Sequence, residues 1–354
     1  MNPQPKVILE MQKLRVPESG LGQFCMHLGK ELAGLERGTL GLEFLVPRSR
    51  VGCFGDAFRY RPLRAWHRWL GVPATDCQVW HCLHQDSPYL PAQSKAKVLL
   101  TIQDLNFLVK WEGHPGTIQR RLQRLQRLVD CAAMITTASH YVENVVRSQL
   151  RCAQPIEVIH HAPCFDTGLV PERPQSVPQG EFLLALGQVN RKKNFHVLLP
   201  LLEAEPRWNL VLAGVDDNVY GQEIRRKAET EGLRDRVVFT GPVPEAQKLW
   251  LYQNCVAFLF PSLAEGFGLP VVEAMSQGKP VFLSRECSLP EIGGPEAYYW
   301  DDFSNDHMIA TFRLGMEAFR NDPEKAHRLR AWSNQFQWRR SAEQYLELYH
   351  ALAR

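Results

Sequence analysis

This chain of 354 residues has no apolar run long enough to cross a bilayer; its longest, such as Val98 to Ile102 and Val256 to Phe260, have the length of strands. Its start, Met1-Asn2-Pro3-Gln4-Pro5-Lys6, lacks the charged-then-apolar layout of a signal peptide. Nine cysteines, an odd number without a C-x-x-C pair, indicate neither a disulfide framework nor a zinc site. A reducing cytoplasm is the expected setting. A net charge of +3 is too small to imply nucleic-acid binding. No Ser/His/Asp or Cys/His arrangement offers a protein nucleophile.

What is present is a globular composition, 45% hydrophobic and 22% charged, with length enough for two cores. Short β-prone segments alternate with helical patterns: Lys6 to Met11, a helix from about Gln23 to Leu35, then Leu42 to Val46, Val79 to Cys82, Val98 to Ile102, Met134 to Thr137 and Ile156 to Ile159. A second series follows, with Phe182 to Leu186, Leu210 to Ala213, Val237 to Phe239, Val256 to Phe260 and Val281 to Leu283. Such alternation predicts parallel sheets covered by helices. The expected plan is α/β: a Rossmann-like domain over 1–170, a Pro-rich linker over 171–180 and a second Rossmann-like domain over 181–335. A helix in 336–354 is expected to pack back on the first domain. The two doubly wound domains are expected to face each other across a cleft, with ligands at the C-terminal ends of the strands.

The charge is uneven. Arg48 to Arg68 is rich in arginine and carries Trp66 and Trp69, while Arg120, Arg121, Arg124 and Arg127 recur along a helical stretch with an apolar face of Leu122, Leu125, Leu128 and Val129. This pattern fits a solvated helix face, or attraction to an anionic membrane or a charged glycolipid acceptor.

The richest segment is Ala264-Glu265-Gly266-Phe267-Gly268-Leu269-Pro270-Val271-Val272-Glu273. Pro270 suits a first helical position and Gly278 a left-handed helix end. Gly266 and Gly268 allow close backbone approach where helix-start amides attract phosphate or sugar oxygens. Glu265 and Glu273 supply two hydroxyl acceptors beside that anion site. Read alone, the segment is equally a strand-to-helix turn with two solvated glutamates.

A series of motifs in order carries the resemblance: Ala185-Leu186-Gly187, Arg191-Lys192-Lys193-Asn194, Val211-Leu212-Ala213-Gly214, Val238-Phe239-Thr240-Gly241, Phe260-Pro261-Ser262, the Glu265 and Glu273 pair, and Ser288-Leu289-Pro290-Glu291. The chain resembles the GT-B glycosyltransferases, in particular the large retaining family 4 (glycosyl transferases group 1). That resemblance implies a nucleoside-diphosphate sugar held mainly by the C-terminal domain. It places Glu265 against the donor sugar, Glu273 on the ribose hydroxyls, and the amides of Gly266, Phe267, Gly268 and Leu269 on sugar or diphosphate. Lys193 would stabilise the departing diphosphate, so that no metal or other cofactor is required. Gly187 lies beside this site. Gln188 stands where relatives often carry arginine, leaving Arg191 or Lys192 as the second positive charge.

In the first half, Gly20 and Gly22 resemble the family's phosphate loop, although no third glycine stands at dinucleotide-fingerprint spacing. Gln103 replaces a histidine that many relatives carry before the aspartate, here Asp104. Glutamine offers only neutral hydrogen bonds, so proton transfer at that position is excluded. Asp104 is a candidate to position the acceptor hydroxyl. His81 and His84 are substitute candidates that also read as structural or acceptor-side residues, and Ser139 reads as a helix cap. The expected activity is retaining transfer to a glycan or glycolipid hydroxyl in bacterial lipopolysaccharide or polysaccharide assembly, with a mannosyl-type donor and possible peripheral contact with the inner membrane face. The alternatives are an inactive nucleotide-sugar-binding partner of an assembly complex and a GT-B nucleotide-sugar epimerase.

Overall fold

The computed structural model describes residues 4–36, 38–92, 94–165 and 168–354. The chain forms two compact units: Met1–His161 together with Gln337–Arg354, and Ala162–Phe336. The division falls ahead of the Pro-rich stretch, and the helix Trp338–Ala353 belongs to the first unit.

The first unit is built on a parallel sheet of β1 (Lys6–Glu10), β2 (Gly41–Val46), β3 (Arg59–Pro62), β4 (Val79–Cys82), β5 (Lys97–Ile102), β6 (Ala132–Thr137) and β7 (Ile156–Val158). Its order is β3-β2-β1-β4-β5-β6-β7. Helices cover both faces, so successive residues such as Val7, Ile8 and Leu9 are all buried, as parallel strands require. The edge strand β3 escapes a hydrophobicity reading because charge holds it. Glu43 on β2 pairs with Lys6 on β1 at 2.8 Å and Arg61 on β3 at 2.7 Å. A separate two-stranded ladder joins Val72–Pro73 to Pro91–Ala92.

The second unit has β8 (Phe182–Leu186), β9 (Asn209–Ala213), β10 (Val237–Gly241), β11 (Ala257–Phe260), β12 (Val281–Ser284) and β13 (Tyr298–Trp300), in the order β10-β9-β8-β11-β12-β13. Its core packs Phe195, Leu198, Leu202, Trp208, Phe282 and Phe312 against the sheet. The three-residue edge strand β13 is too short to register in the sequence pattern.

The first helix spans Gly20–Leu35 and starts earlier than the expected Gln23. Ser19 caps it by accepting from the Gly22 amide at 3.1 Å. A Cβ at Gly22 would lie 2.2 Å from the Val16 carbonyl oxygen, so glycine is needed for close packing of two backbone segments.

A buried polar network joins the terminal helix to the first sheet. His81 bonds Tyr349 through Nδ1 and Thr101 through Nε2, each at 2.7 Å, and Thr101 meets Thr136 at 2.7 Å. Burial pushes the His81 pKa down to about 3, so the ring is neutral, with one donor and one acceptor nitrogen. Tyr349→Phe leaves one ring nitrogen buried without a partner and is expected to cost about 1–3 kcal/mol in urea unfolding. A negligible loss would mean that apolar packing alone holds this helix.

Candidate active site

In a doubly wound sheet, ligands bind at the C-terminal strand ends where the strand order reverses. In the second unit that point lies between β8 and β11. Lys193 follows β8, Glu265 follows β11, and the fold brings them together. Lys193 Nζ donates to Glu265 Oε1 at 2.6 Å, and both side chains are largely buried. The ammonium also lies over the Phe260 ring, 4.2 Å from its centroid.

The surrounding loops fix this pair. Lys193 closes a short 3-10 turn, Arg191–Lys193, after which Asn194 takes a left-handed conformation at φ 58°. The Leu263 amide donates to the Lys192 carbonyl at 2.7 Å, tying the two loops by backbone. Ser262 Oγ lies 2.5 Å from Glu265 Oε1, and Ser288 Oγ donates to the carbonyl of Phe267 at 2.8 Å. Both donors to Glu265 meet Oε1. Oε2 has no hydrogen-bond partner among the described residues and is open to a ligand hydroxyl.

Burial alone would raise the Glu265 pKa. Lys193, Lys192 and the hydrogen bonds from Lys193 and Ser262 outweigh it and hold the carboxyl below its ordinary range. Burial pulls the Lys193 pKa down against the attraction of Glu265. The pair is an ionic one that has lost most of its water.

Three glycines line the strand ends beside it. The Gly187 amide donates to the Ala213 carbonyl at 2.8 Å and the Gly214 amide to the Gly241 carbonyl at 2.9 Å. Gly187 has φ 136°, and a Cβ there would lie 3.0 Å from Lys193 Cε. The absence of a side chain makes room for the lysine.

Glu273 lies one turn into the helix Leu269–Ser276 and is buried. Lys248 Nζ donates to its Oε1 at 2.8 Å and Tyr252 OH to its Oε2 at 2.9 Å. Lys248 and Tyr252 share a face of the helix Glu245–Asn254, four residues apart. Their role was not read from the sequence, where only that spacing signals it. A carboxylate has about four acceptor sites, so Glu273 can still accept ligand hydroxyls alongside these partners. Gly268 caps this helix in a left-handed conformation at φ 111°, and Pro270 is the second helical residue rather than the first. Of the first three helical residues, Pro270 has no N–H and the Val271 amide donates to the Gly268 carbonyl at 2.9 Å, which leaves the Leu269 amide as the one without an intrahelical acceptor. Of the candidates for a second positive charge, Arg191 is exposed and bonded to Glu223 at 2.8 Å. Lys192 lies near enough to lower the Glu265 pKa.

In the first unit the strand order reverses between β1 and β4. Gly20 and Gly22 lie inside the first helical turn rather than in a loop, and the Gly22 amide is occupied by Ser19. His81 is bonded through both nitrogens. His84 Nδ1 accepts from the Asp86 amide at 3.0 Å, and burial pushes its pKa down to about 3. Both rings are therefore neutral at pH 7, each keeping a single N–H. Gln103 is buried, donating its amide N–H to Gln85 Oε1 at 2.9 Å and Nε2 to the Leu83 carbonyl at 3.1 Å. Gln85 Nε2 in turn donates to the Asp104 carbonyl at 2.7 Å. Asp104 Oδ1 accepts from the Asn106 amide at 3.0 Å. Ser139 caps the helix His140–Gln149 through the Val142 amide.

A carboxylate unremarked in the sequence ends β1. Burial pushes the Glu10 pKa up to about 7, against Ser87, the Gln12 amide, Lys13 and Arg15. Nothing in its local sequence marks it, because its burial depends on distant strands. Among the described residues, no group of three or more His, Cys, Asp or Glu side chains is arranged to hold a metal.

Residues 170–332 match the family described as glycosyl transferases group 1. The chain is 26% identical to the O-antigen chain mannosyltransferase B of Escherichia coli, over 98% of this chain and 100% of that protein. It is 37% identical to a serotype-specific mannosyltransferase of Escherichia coli, over 47% of this chain and 21% of that protein. The solved structure of HepE from Anabaena in complex with UDP-glucose shares the fold, with a TM-score of 0.74 at 16% identity over 98% of this chain and 99% of that one.

Two expectations follow from this geometry. Lys193→Ala strands a buried carboxylate and is expected to cost about 3–5 kcal/mol in urea unfolding. Lys193→Met combined with Glu265→Leu should recover much of that loss, and simple additivity would show the two groups to be uncoupled. For Glu10, the folded state keeps a proton that the unfolded chain releases between pH 4.5 and about 7, so its contribution is full below that window and lost above it. Glu10→Gln is therefore expected to match the wild type at pH 4.5 and to exceed it by roughly 3 kcal/mol at pH 8. Parallel stability curves across this range would refute the assignment.

Proposed function

We propose that this chain, whose residues 170–332 match glycosyl transferases group 1, is a GT-B glycosyltransferase that moves a mannosyl unit from a nucleoside diphosphate to a saccharide hydroxyl in bacterial polysaccharide or lipopolysaccharide assembly, with retention of configuration. The observation that carries this reading is the buried Lys193–Glu265 pair at the reversal point of the second sheet, beside a glycine edge. The mannosyl donor and the setting rest on the two mannosyltransferases of Escherichia coli that the chain resembles.

In this mechanism the diphosphate lies along the strand ends at Gly187 and the start of the helix Leu269–Ser276. Lys193 retains donors beyond the one given to Glu265 and offers them to the phosphate oxygens. Glu265 Oε2 accepts from a sugar hydroxyl, and Glu273, held by Lys248 and Tyr252, accepts from the ribose. The bond from the anomeric carbon to the phosphate oxygen breaks while a bond to the acceptor oxygen forms on the same face. The acceptor proton passes to the departing phosphate. Lys193 stabilises the charge developing there in a site from which most water is excluded, and this fixed cation takes the place of a metal. Gln103 and Asp104 belong to the acceptor side, where they orient a hydroxyl without transferring its proton.

The test is a thermal-shift panel with GDP-mannose, GDP-glucose and UDP-glucose. A donor at a hundred times its dissociation constant adds about 2.7 kcal/mol of stability. GDP-mannose is expected to give the largest shift, and Glu265→Gln is expected to lower acceptor-dependent turnover about a hundredfold or more. Turnover is expected to survive EDTA. A shift from UDP-glucose alone would overturn the mannosyl assignment, and undiminished turnover in Glu265→Gln would overturn the site.

A further inference from the structure

A solvent-open chamber of about 490 Å³ lies on the surface of the first unit, lined on one side by the helix Pro115–Cys131, whose Arg120, Arg121 and Arg124 are exposed. Arg120, Arg121 and Arg124 project into its lining, brought to one face by helical spacing. Like charges one turn apart repel, so the cluster destabilises its own helix unless something anionic answers it. Among the described residues no carboxylate forms an ion pair with any of the three. Arg120 bonds the Gly116 carbonyl and the Thr117 hydroxyl at 3.2 and 3.3 Å. Arg121 stacks over the Phe107 ring, and Arg124 donates to the Asp86 carbonyl at 3.3 Å. Asp86 is the single acidic residue in the lining, against three arginines.

The chamber also shares a residue with the acceptor-side loop. Gln85 is buried, lines the chamber, and holds the backbone of Gln103 and Asp104 through both ends of its amide. Phe107 and Leu125 supply an apolar surface beside the arginines.

We propose that this chamber binds the phosphate or diphosphate of a phosphorylated saccharide and thereby places the acceptor sugar against the Gln103–Asp104 loop. Guanidinium groups match phosphate oxygens bidentately, and three of them suit a group of more than one negative charge. The volume exceeds that of a phosphate alone and leaves room for a sugar ring on the apolar surface. A bilayer would instead meet the exposed helix face as a whole, yet Arg127 on the same helix is not part of the lining. The word acceptor rests on the transferase reading above; the anion site does not.

The test is arginine-selective modification of the full chain by phenylglyoxal, mapped by peptide mass spectrometry. Pyrophosphate and glucose 1-phosphate are expected to slow modification of Arg120, Arg121 and Arg124 about threefold or more relative to sodium chloride of equal ionic strength, with Arg127 unaffected. Equal slowing by the salt, or protection only by phosphatidic acid vesicles and extending to Arg127, overturns the proposal. In transfer assays, Arg121→Ala and Arg124→Ala are expected to raise the KM for a phosphorylated acceptor about tenfold with kcat little changed, while Arg127→Ala behaves as wild type. Comparing a soluble sugar phosphate with a lipid-linked sugar diphosphate in that assay identifies the source of the phosphate. Protection without stabilisation by any nucleotide sugar would sink the transferase reading and leave the anion site standing.

Discussion

The buried ion pair between Lys193 and Glu265 is the constraint around which the second unit is arranged. Neither partner is tolerable there alone, since each would be an uncompensated charge out of water. Their meeting requires the loops after β8 and β11 to lie side by side, which the reversal of strand order at that point secures. It requires Gly187 to lack a side chain, because a Cβ would press on the lysine. It also requires the serines that strap the glutamate loop. The glycine edge, the short basic turn and the capped helix are consequences of holding one cation and one anion in a dry corner of a sheet.

That arrangement explains why the sequence is legible where it is. Central strands such as Val79–Cys82 and Phe182–Leu186 are buried on both faces and stand out at their true bounds. Edge strands do not, since Arg59–Pro62 is held by Arg61 and Glu43, a contact between residues far apart in sequence. Lys193, Glu265 and Glu273 are readable because their motifs are local. Lys248 and Tyr252 are not, because their meaning appears only when Glu273 is brought beside them. The start of the first helix was misplaced because Gly20 and Gly22 resemble a phosphate loop, whereas the Gly22 amide is already satisfied by Ser19. Glu10 was illegible because a buried carboxylate has no local signature.

The two units differ in how they treat charge. The second keeps Lys193, Glu265, Lys248 and Glu273 buried as ion pairs at or near its strand ends. The first holds its buried histidines neutral, with His81, His84 and His161 each pushed to about 3 by burial. A neutral imidazole of that kind can orient a hydroxyl but does not exchange a proton near pH 7. Gln103, a neutral amide, has the same limitation.

This asymmetry favours a reaction in which the donor carries its own base. If the departing phosphate accepts the acceptor proton, the acceptor side needs only neutral hydrogen bonds, and a glutamine there is no handicap. What the protein must then supply is a fixed positive field at the phosphate, and in the proposed reaction an ammonium already desolvated and oriented by Glu265 would supply it without reorganising at the moment of transfer. The same logic limits Glu265. Its charge is committed to Lys193 and its pKa is held low, which suits an acceptor of sugar hydroxyl bonds and disfavours a role as proton donor. In the proposed reaction, recognition and charge stabilisation would fall to the protein and proton transfer to the substrate pair.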